Sequence, residues 1–160
     1  MEFSTPDLAD AFPEVKALEP ILKNFGGKTS FYGPIQTLKC PDYNSLVKQQ
    51  FNSEGNGRVL VVDAGGISTG ALLGDLIANS GIENNWAGII INGYIRDIEI
   101  IKTLSIGVQA LGAFPIKSAK RGLGELGIEI RFGGLTFRPG QHVYADNDGL
   151  LLSEKELNSS

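Results

Sequence analysis

The chain is poor in the residues that most often cross-link a protein or carry its chemistry. Its 160 residues include one cysteine, Cys40, one histidine, His142, one methionine and one tryptophan. A single cysteine excludes an intramolecular disulfide and suits a reducing cytoplasm. With one imidazole and no Cys-x-x-Cys pair, a zinc site lacks its ligands. A serine or cysteine triad is equally hard to build, because Cys40 and every serine would compete for His142. No apolar run approaches the roughly 20 residues of a membrane span, and Met1 to Asp10 carries carboxylates where a signal peptide would be positive. The expectation is a cytoplasmic protein without membrane contact. Fourteen basic against eighteen acidic residues give a net charge of −4, and the basic ones are scattered except for Lys117, Lys120 and Arg121. That is no nucleic-acid footprint.

Glycine is abundant instead, 21 residues, nearly twice the average share of roughly 7%. The length suits one domain, since a domain takes roughly 100–200 residues. We expect it to span 1–153, followed by a polar, fraying tail at 154–160.

Along the chain, Thr5 is placed to cap a short helix through Phe12, with Pro6 at its first position. The spacing of Val15, Leu18, Ile21 and Leu22 predicts a second helix over 15–24, interrupted at Pro20. Residues 29–40 read as a strand pair near Pro34, 44–51 as a helix and 52–57 as a turn cluster. Arg58 to Asp63 is a continuous apolar run closed by Gly65-Gly66, the pattern of a strand buried on both faces of a parallel sheet. A helix over 71–83 and a strand over 87–91 complete a βαβ unit. Further elements are a helix over 97–104, a strand over 108–114, an antiparallel pair at 128–132 and 135–137, and another at 142–145 and 150–152.

Two short motifs read as a flexible loop and a hairpin turn. Gly122-Leu123-Gly124-Glu125-Leu126-Gly127 matches G-x-G-x-x-G, but the dinucleotide fingerprint needs a strand before it and a helix after it. Asp146-Asn147-Asp148-Gly149 has its glycine two positions too early for a calcium loop and reads as a hairpin turn.

The informative segment runs from Gly70 to Glu99. In a βαβ unit the end of strand 58–63, the start of the helix near Gly74 and the end of the next strand share one sheet edge, where α/β ligand sites form. Gly74 lets bare amides at a helix start approach an anion. Arg96 offers a fork-shaped cation and Asp97 a hard ligand for a divalent ion. Asp75 adds a second carboxylate. Alone, Arg96-Asp97 reads more readily as a surface ion pair or a helix cap than as a site.

At this stretch the sequence resembles a known family. Gly74-Asp75-Leu76-Ile77-Ala78, Trp86 through Asp97 and Ile106-Gly107-Val108-Gln109-Ala110 are similar to the RraA-like family. Phe132-Gly133-Gly134-Leu135-Thr136-Phe137, Pro139-Gly140 and Tyr144 through Gly149 extend the likeness, which covers Thr5 to Ser153. The family includes the regulator of ribonuclease E activity A and the class II 4-hydroxy-4-methyl-2-oxoglutarate aldolases. The resemblance implies an α/β fold, a three-layer β/β/α swivelling-type domain with a mixed sheet, assembled as a homotrimer or hexamer with sites at subunit interfaces. It implies a small 2-oxo acid substrate held by a divalent cation, Mg2+ or Mn2+, on Asp97. Gly74, Asp75, Leu76 and Ile77 would bind its carboxylate, Arg96 its oxo or enolate oxygen, and Asp75 would assist proton transfer. Oxaloacetate decarboxylation through the same enolate is expected as a secondary activity. The aldolase pattern carries an acidic residue three positions after the metal aspartate, where this chain has Ile100, and longer aldolases add a C-terminal glutamate, for which only Glu154 and Glu156 are available. The alternative implied by the same family is a regulator without catalysis that binds ribonuclease E or its helicase partners by protein contact, with no nucleic acid.

Overall fold

The computed structural model describes residues 1–41, 44–119 and 123–158. In chain order its elements are α1 (Thr5–Ala11), β1 (Lys16–Ala17), β2 (Lys23–Asn24), β3 (Phe31–Lys39), α2 (Ser45–Phe51), β4 (Val59–Asp63), α3 (Asp75–Glu83) and β5 (Gly88–Ile95), followed by α4 (Ile98–Ile101), β6 (Gly107–Ala113), β7 (Glu125–Leu126), β8 (Ile130–Phe132), β9 (Leu135–Phe137), β10 (His142–Asp146) and β11 (Gly149–Ser153). Strands β3, β4, β5 and β6 are parallel neighbours, joined in turn through α2, α3 and α4. The predicted βαβ unit is therefore the middle one of three.

The alternation of buried side chains sorts the core into layers. Leu60, Val62, Ile89 and Ile91 face a core shared with Val47 and Phe51 of α2 and Ala78 of α3. Their sequence neighbours Val59, Val61 and Ile90 face a second core with Ile130, Phe132, Leu135, Phe137 and Val143. Helices thus cover one face of the parallel strands and further strands the other, the β/β/α layering expected. The mixed sheet runs β1-β11-β10-β3-β4-β5-β6-β2, with β7 beside β3. It curls, because its far parts are tied together: Gln109 Nε2 on β6 donates to Asn24 Oδ1 on β2, and Asn24 Nδ2 donates to the Asp146 carbonyl on β10. Part of the glycine excess serves close packing. A Cβ on Gly107 would lie 2.1 Å from the Phe31 ring, and one on Gly88 2.6 Å from it.

Several expectations need correction. The cap of α1 is Ser4, whose hydroxyl accepts from the Asp7 amide at 3.2 Å. Thr5 is buried, and its amide and hydroxyl both donate to the Asp146 carboxylate at 2.7 Å. Residues 15–24 form no helix. Pro20 removes one amide donor, and other strands take up much of the segment: β1 pairs with β11, β2 with β6, and the Leu18 and Glu19 amides donate to Leu150 and Gly133. Residues 31–39 are one strand, and Pro34, which has no amide to offer, is the residue after which β3 gains β4 as a parallel partner. The helix expected over 71–83 begins at Asp75, because Ala71 to Leu73 run extended beside Tyr94 and Ile116, with Leu72 and Leu73 buried. The helix expected over 97–104 shrinks to Ile98–Ile101.

Of the two short motifs, the first is partly strand where a loop was expected, and the second is the expected hairpin turn. Glu125 and Leu126 form β7 against the end of β3, so no helix follows the glycines. Asp146 and Gly149 close the β10–β11 hairpin, with the Asp148 amide donating to Asp146 Oδ1. Gly122, with Lys120 and Arg121 of the basic cluster, lies outside the described residues.

The described part of the tail does not fray. Leu157 is buried with Leu8, Tyr144 and Leu151, and its amide donates to the Tyr144 hydroxyl at 2.7 Å. Burial raises the pKa of that phenol. Leu157→Ala is accordingly expected to cost about 2–3 kcal/mol, read as a lower midpoint of urea unfolding. An unchanged midpoint would mean the tail contributes nothing.

Candidate active site

The site begins with an irregularity in β5. Its parallel pairing with β6 shifts register between Ile91 and Tyr94, at Asn92-Gly93. Asn92 Nδ2 and the Gly65 amide both donate to Asp63 Oδ1 at 2.9 Å, tying the bulge to the end of β4. Beyond it, β5 exchanges β4 for the extended segment 71–73. The Leu72 amide donates to Tyr94 at 2.8 Å and the Arg96 amide to Leu73 at 2.9 Å. These bonds carry Arg96 and Asp97 past the sheet edge, against the start of α3.

Asp97 holds a left-handed backbone, φ 58° and ψ 36°, at the N-cap of α4. This region is uncommon outside glycine and is tolerated best by Asn and Asp. Its side chain caps nothing in α4. Asp97 Oδ2 instead accepts the Asp75 amide across the cleft at 3.1 Å. Arg96 forms no ion pair among the described residues and makes one long contact, 3.5 Å from Nη1 to the Pro115 carbonyl. The ion-pair reading does not describe these two side chains, and the capping that Asp97 does perform is on the first amide of α3 instead of on its own helix.

Gly74, Asp75, Leu76, Ile77, Arg96 and Asp97 all line one cleft of about 380 Å3. The sequence-predicted residues are thus brought together. The Ala78 amide reaches back to the Gly74 carbonyl and the Asp75 amide is held by Asp97, which leaves the Leu76 and Ile77 amides without a partner among the described residues. These are the amides a helix start offers to an anion. Gly74 is extended, at φ −126° and ψ −173°, so its requirement is steric. A Cβ there would lie 2.8 Å from Asp97 Oδ2. Gly74→Ala is therefore expected to displace that carboxylate and lower divalent-cation affinity about tenfold, with little change in thermal midpoint. Calorimetric titration with Mn2+ would check this.

Two charged lining residues escaped sequence reasoning as site members, Lys48 on α2 and Lys117 after β6. Lys117 stood out only as part of a basic cluster. Lys48 sits on a different βαβ crossover, and no local pattern marks it. The cleft therefore collects three cations, Lys48, Arg96 and Lys117, and two carboxylates, Asp75 and Asp97, with no ion pair among them. Glu154 accepts from Gln141 at 2.7 Å and lines a separate hollow. Ile100 is an exposed apolar residue on α4.

Among the described residues no three His, Cys, Asp or Glu side chains cluster to enclose a metal. The donors in the cleft are hard carboxylate oxygens. Such a set suits an ion that takes one or two protein carboxylates and completes its shell with water and substrate, the habit of Mg2+. It does not suit zinc.

A family profile described as RraA-like, Aldolase/RraA, matches residues 5–152. The chain belongs to the RraA-like family. A Pseudomonas paraeruginosa protein named "Putative 4-hydroxy-4-methyl-2-oxoglutarate aldolase" is 51% identical over 159 residues, covering 99% of this chain and 98% of its own length. Among solved structures, the RNA-processing inhibitor RraA from Thermus thermophilis superposes with a TM-score of 0.95 at 42% identity, covering 99% of this chain and 97% of that one. A Geobacillus kaustophilus chain described as an S-adenosylmethionine: 2-dimethylmenaquinone methyltransferase gives a TM-score of 0.95 at 40% identity, covering 99% of this chain and all of that one. The fold of this RraA-like chain is that of the solved RraA structures.

Proposed function

We propose that this protein is a divalent-cation-dependent lyase that splits 4-hydroxy-4-methyl-2-oxoglutarate into two pyruvates. The observation that carries the reading is the meeting of Arg96, Asp97 and the unpartnered Leu76 and Ile77 amides in one cleft. Those amides bind the carboxylate next to the oxo group. Arg96 directs its fork at the oxo oxygen, where negative charge develops. Asp97 holds the cation, Mg2+ or Mn2+, directly or through water. When bound, that ion supplies further stabilisation of the enolate oxygen.

The bond that breaks joins C3 to C4. The C4 hydroxyl gives its proton to Asp75, directly or through water, and becomes the carbonyl of the first pyruvate, while the bonding pair passes to the other half as pyruvate enolate. Asp75, in the same cleft, delivers a proton to the enolate carbon directly or through water, completing the second pyruvate. Oxaloacetate reaches the same enolate by losing carbon dioxide, so decarboxylation is a secondary activity. The exposed apolar Leu76 and Ile116 near this cleft support its placement at a subunit interface of a homotrimer or hexamer. Methyl transfer from a sulfonium cation is disfavoured by three cations in the cleft.

A second reading rests on a specific observation. Ile100 leaves no carboxylate three positions after Asp97, and a regulator that binds ribonuclease E or its helicase partners needs none. Purified protein with Mg2+ should release pyruvate from the hydroxy-methyl-oxoglutarate substrate, followed through lactate dehydrogenase, and chelation should abolish the rate. No pyruvate above background with any divalent cation, alongside measurable binding to the ribonuclease, would favour the regulator.

A further inference from the structure

The residues assigned above account for one end of the substrate. Arg96, the α3 amides and the Asp97 ion read a carboxylate and the neighbouring oxo group, a unit common to every 2-oxo acid. The cleft continues past that unit to α2, where Asn44, Ser45 and Lys48 line its other side. Asn44 and Lys48, four positions apart, lie one above the other, at the border of the stripe through which Val47 and Phe51 enter the core. The position of α2 against α3 is closely set. A Cβ on Gly81 of α3 would lie 2.4 Å from the Phe51 ring, so that ring packs directly on the backbone of α3.

Among the described residues, the side chains of Asn44, Ser45 and Lys48 make no hydrogen bond or ion pair. Asn44 stands at the N-cap of α2 but makes no capping bond, with its backbone already helical at φ −93° and ψ −4°. Lys48 lies within ion-pairing distance of no described carboxylate. Lys117 belongs to the opposite end. Ala71 pairs with both Lys117 and Tyr94, which places Lys117 beside the segment that leads into Arg96.

We propose that Lys48, aided by the Asn44 amide, reads a second carboxylate at the far end of the substrate and so makes the cleft selective for dicarboxylic over monocarboxylic 2-oxo acids. Lys48 is a specificity residue in this assignment and takes no part in bond cleavage. The assignment rests on the lyase reading only for the placement of the oxo-acid end.

Binding can test it without turnover. Calorimetric titration of the full chain in Mg2+ would compare 2-oxoglutarate, which has the distal carboxylate, with 2-oxobutanoate, which lacks it. Wild-type protein should prefer 2-oxoglutarate by about tenfold, the effect of one charged hydrogen bond. Lys48→Met, at an exposed position, should bring the ratio to within about twofold of one by weakening 2-oxoglutarate alone, and Lys48→Arg should restore most of it. An unchanged ratio in Lys48→Met, equal wild-type affinity for the two probes, binding of neither, or a collapse seen in Lys117→Met instead would each overturn the assignment. A preference that depends on Lys48 in a protein that releases no pyruvate would leave this inference standing and sink the lyase reading. Pyruvate release with a ratio indifferent to Lys48 would do the reverse.

Discussion

Asp97→Asn is expected to lower Mg2+-dependent pyruvate release by at least about 100-fold, the scale on which removing one stabiliser of a developing oxyanion acts. Asparagine is the informative replacement. It tolerates the left-handed backbone at φ 58°, and its carbonyl oxygen can still accept the Asp75 amide that Asp97 Oδ2 now holds. What it removes is the charge that would bind the cation. The thermal midpoint should therefore stay near that of the parent while kcat falls and the Mg2+ concentration for half-activation rises. Asp97→Ala would combine loss of the ligand, loss of the acceptor and backbone strain, so it separates the causes less well. Wild-type kcat in Asp97→Asn would remove Asp97 from the chemistry.

Arg96→Met is expected to cost about 100- to 1000-fold in kcat/KM, again with the fold intact. The bond that fixes this residue runs from its backbone amide to Leu73, and the side chain makes only the long contact to Pro115. The guanidinium is thus dispensable for structure. Arg96→Lys keeps the charge but loses the planar fork, which matters where two oxygens are addressed at once, and should recover only part of the rate. Equal activity in Arg96→Lys and wild type would reduce Arg96 to a source of local positive charge.

The fold was legible in the sequence where one local period dominated. The β-branched run Val59-Leu60-Val61-Val62 has the pattern of a strand buried on both faces, and the two core clusters share its alternate residues. The segment 15–24 failed for the opposite reason. Its helical spacing is real, but its residues pack outward from β1 and β2 onto strands more than 80 positions away, and long-range pairing overrode the local pattern. The tail misled because seven polar neighbours hide Leu157, whose partners Leu8 and Tyr144 lie far off in the chain.

The candidate site divides in the same way. Gly74 to Ile77 and Arg96-Asp97 were readable because a βαβ unit brings its strand ends and helix start to one edge. The left-handed backbone of Asp97, its grip on the Asp75 amide and the exclusion of a Cβ at Gly74 were not readable, since each depends on a contact between segments more than 20 residues apart. Lys48 was invisible for a related reason: it enters from α2, one crossover earlier than the unit that drew attention.

The central claim is that one cleft holds a divalent cation and a 2-oxo acid together. The most direct measurement is a crystal structure of the protein soaked with Mn2+ and oxalate, a stable stand-in for pyruvate enolate, with anomalous data collected for manganese. The account predicts an anomalous peak beside Asp97, in direct or one-water contact, with oxalate between it and the Leu76 and Ile77 amides and Arg96 on its oxygens. Manganese and oxalate bound elsewhere, with this cleft holding neither, would contradict it.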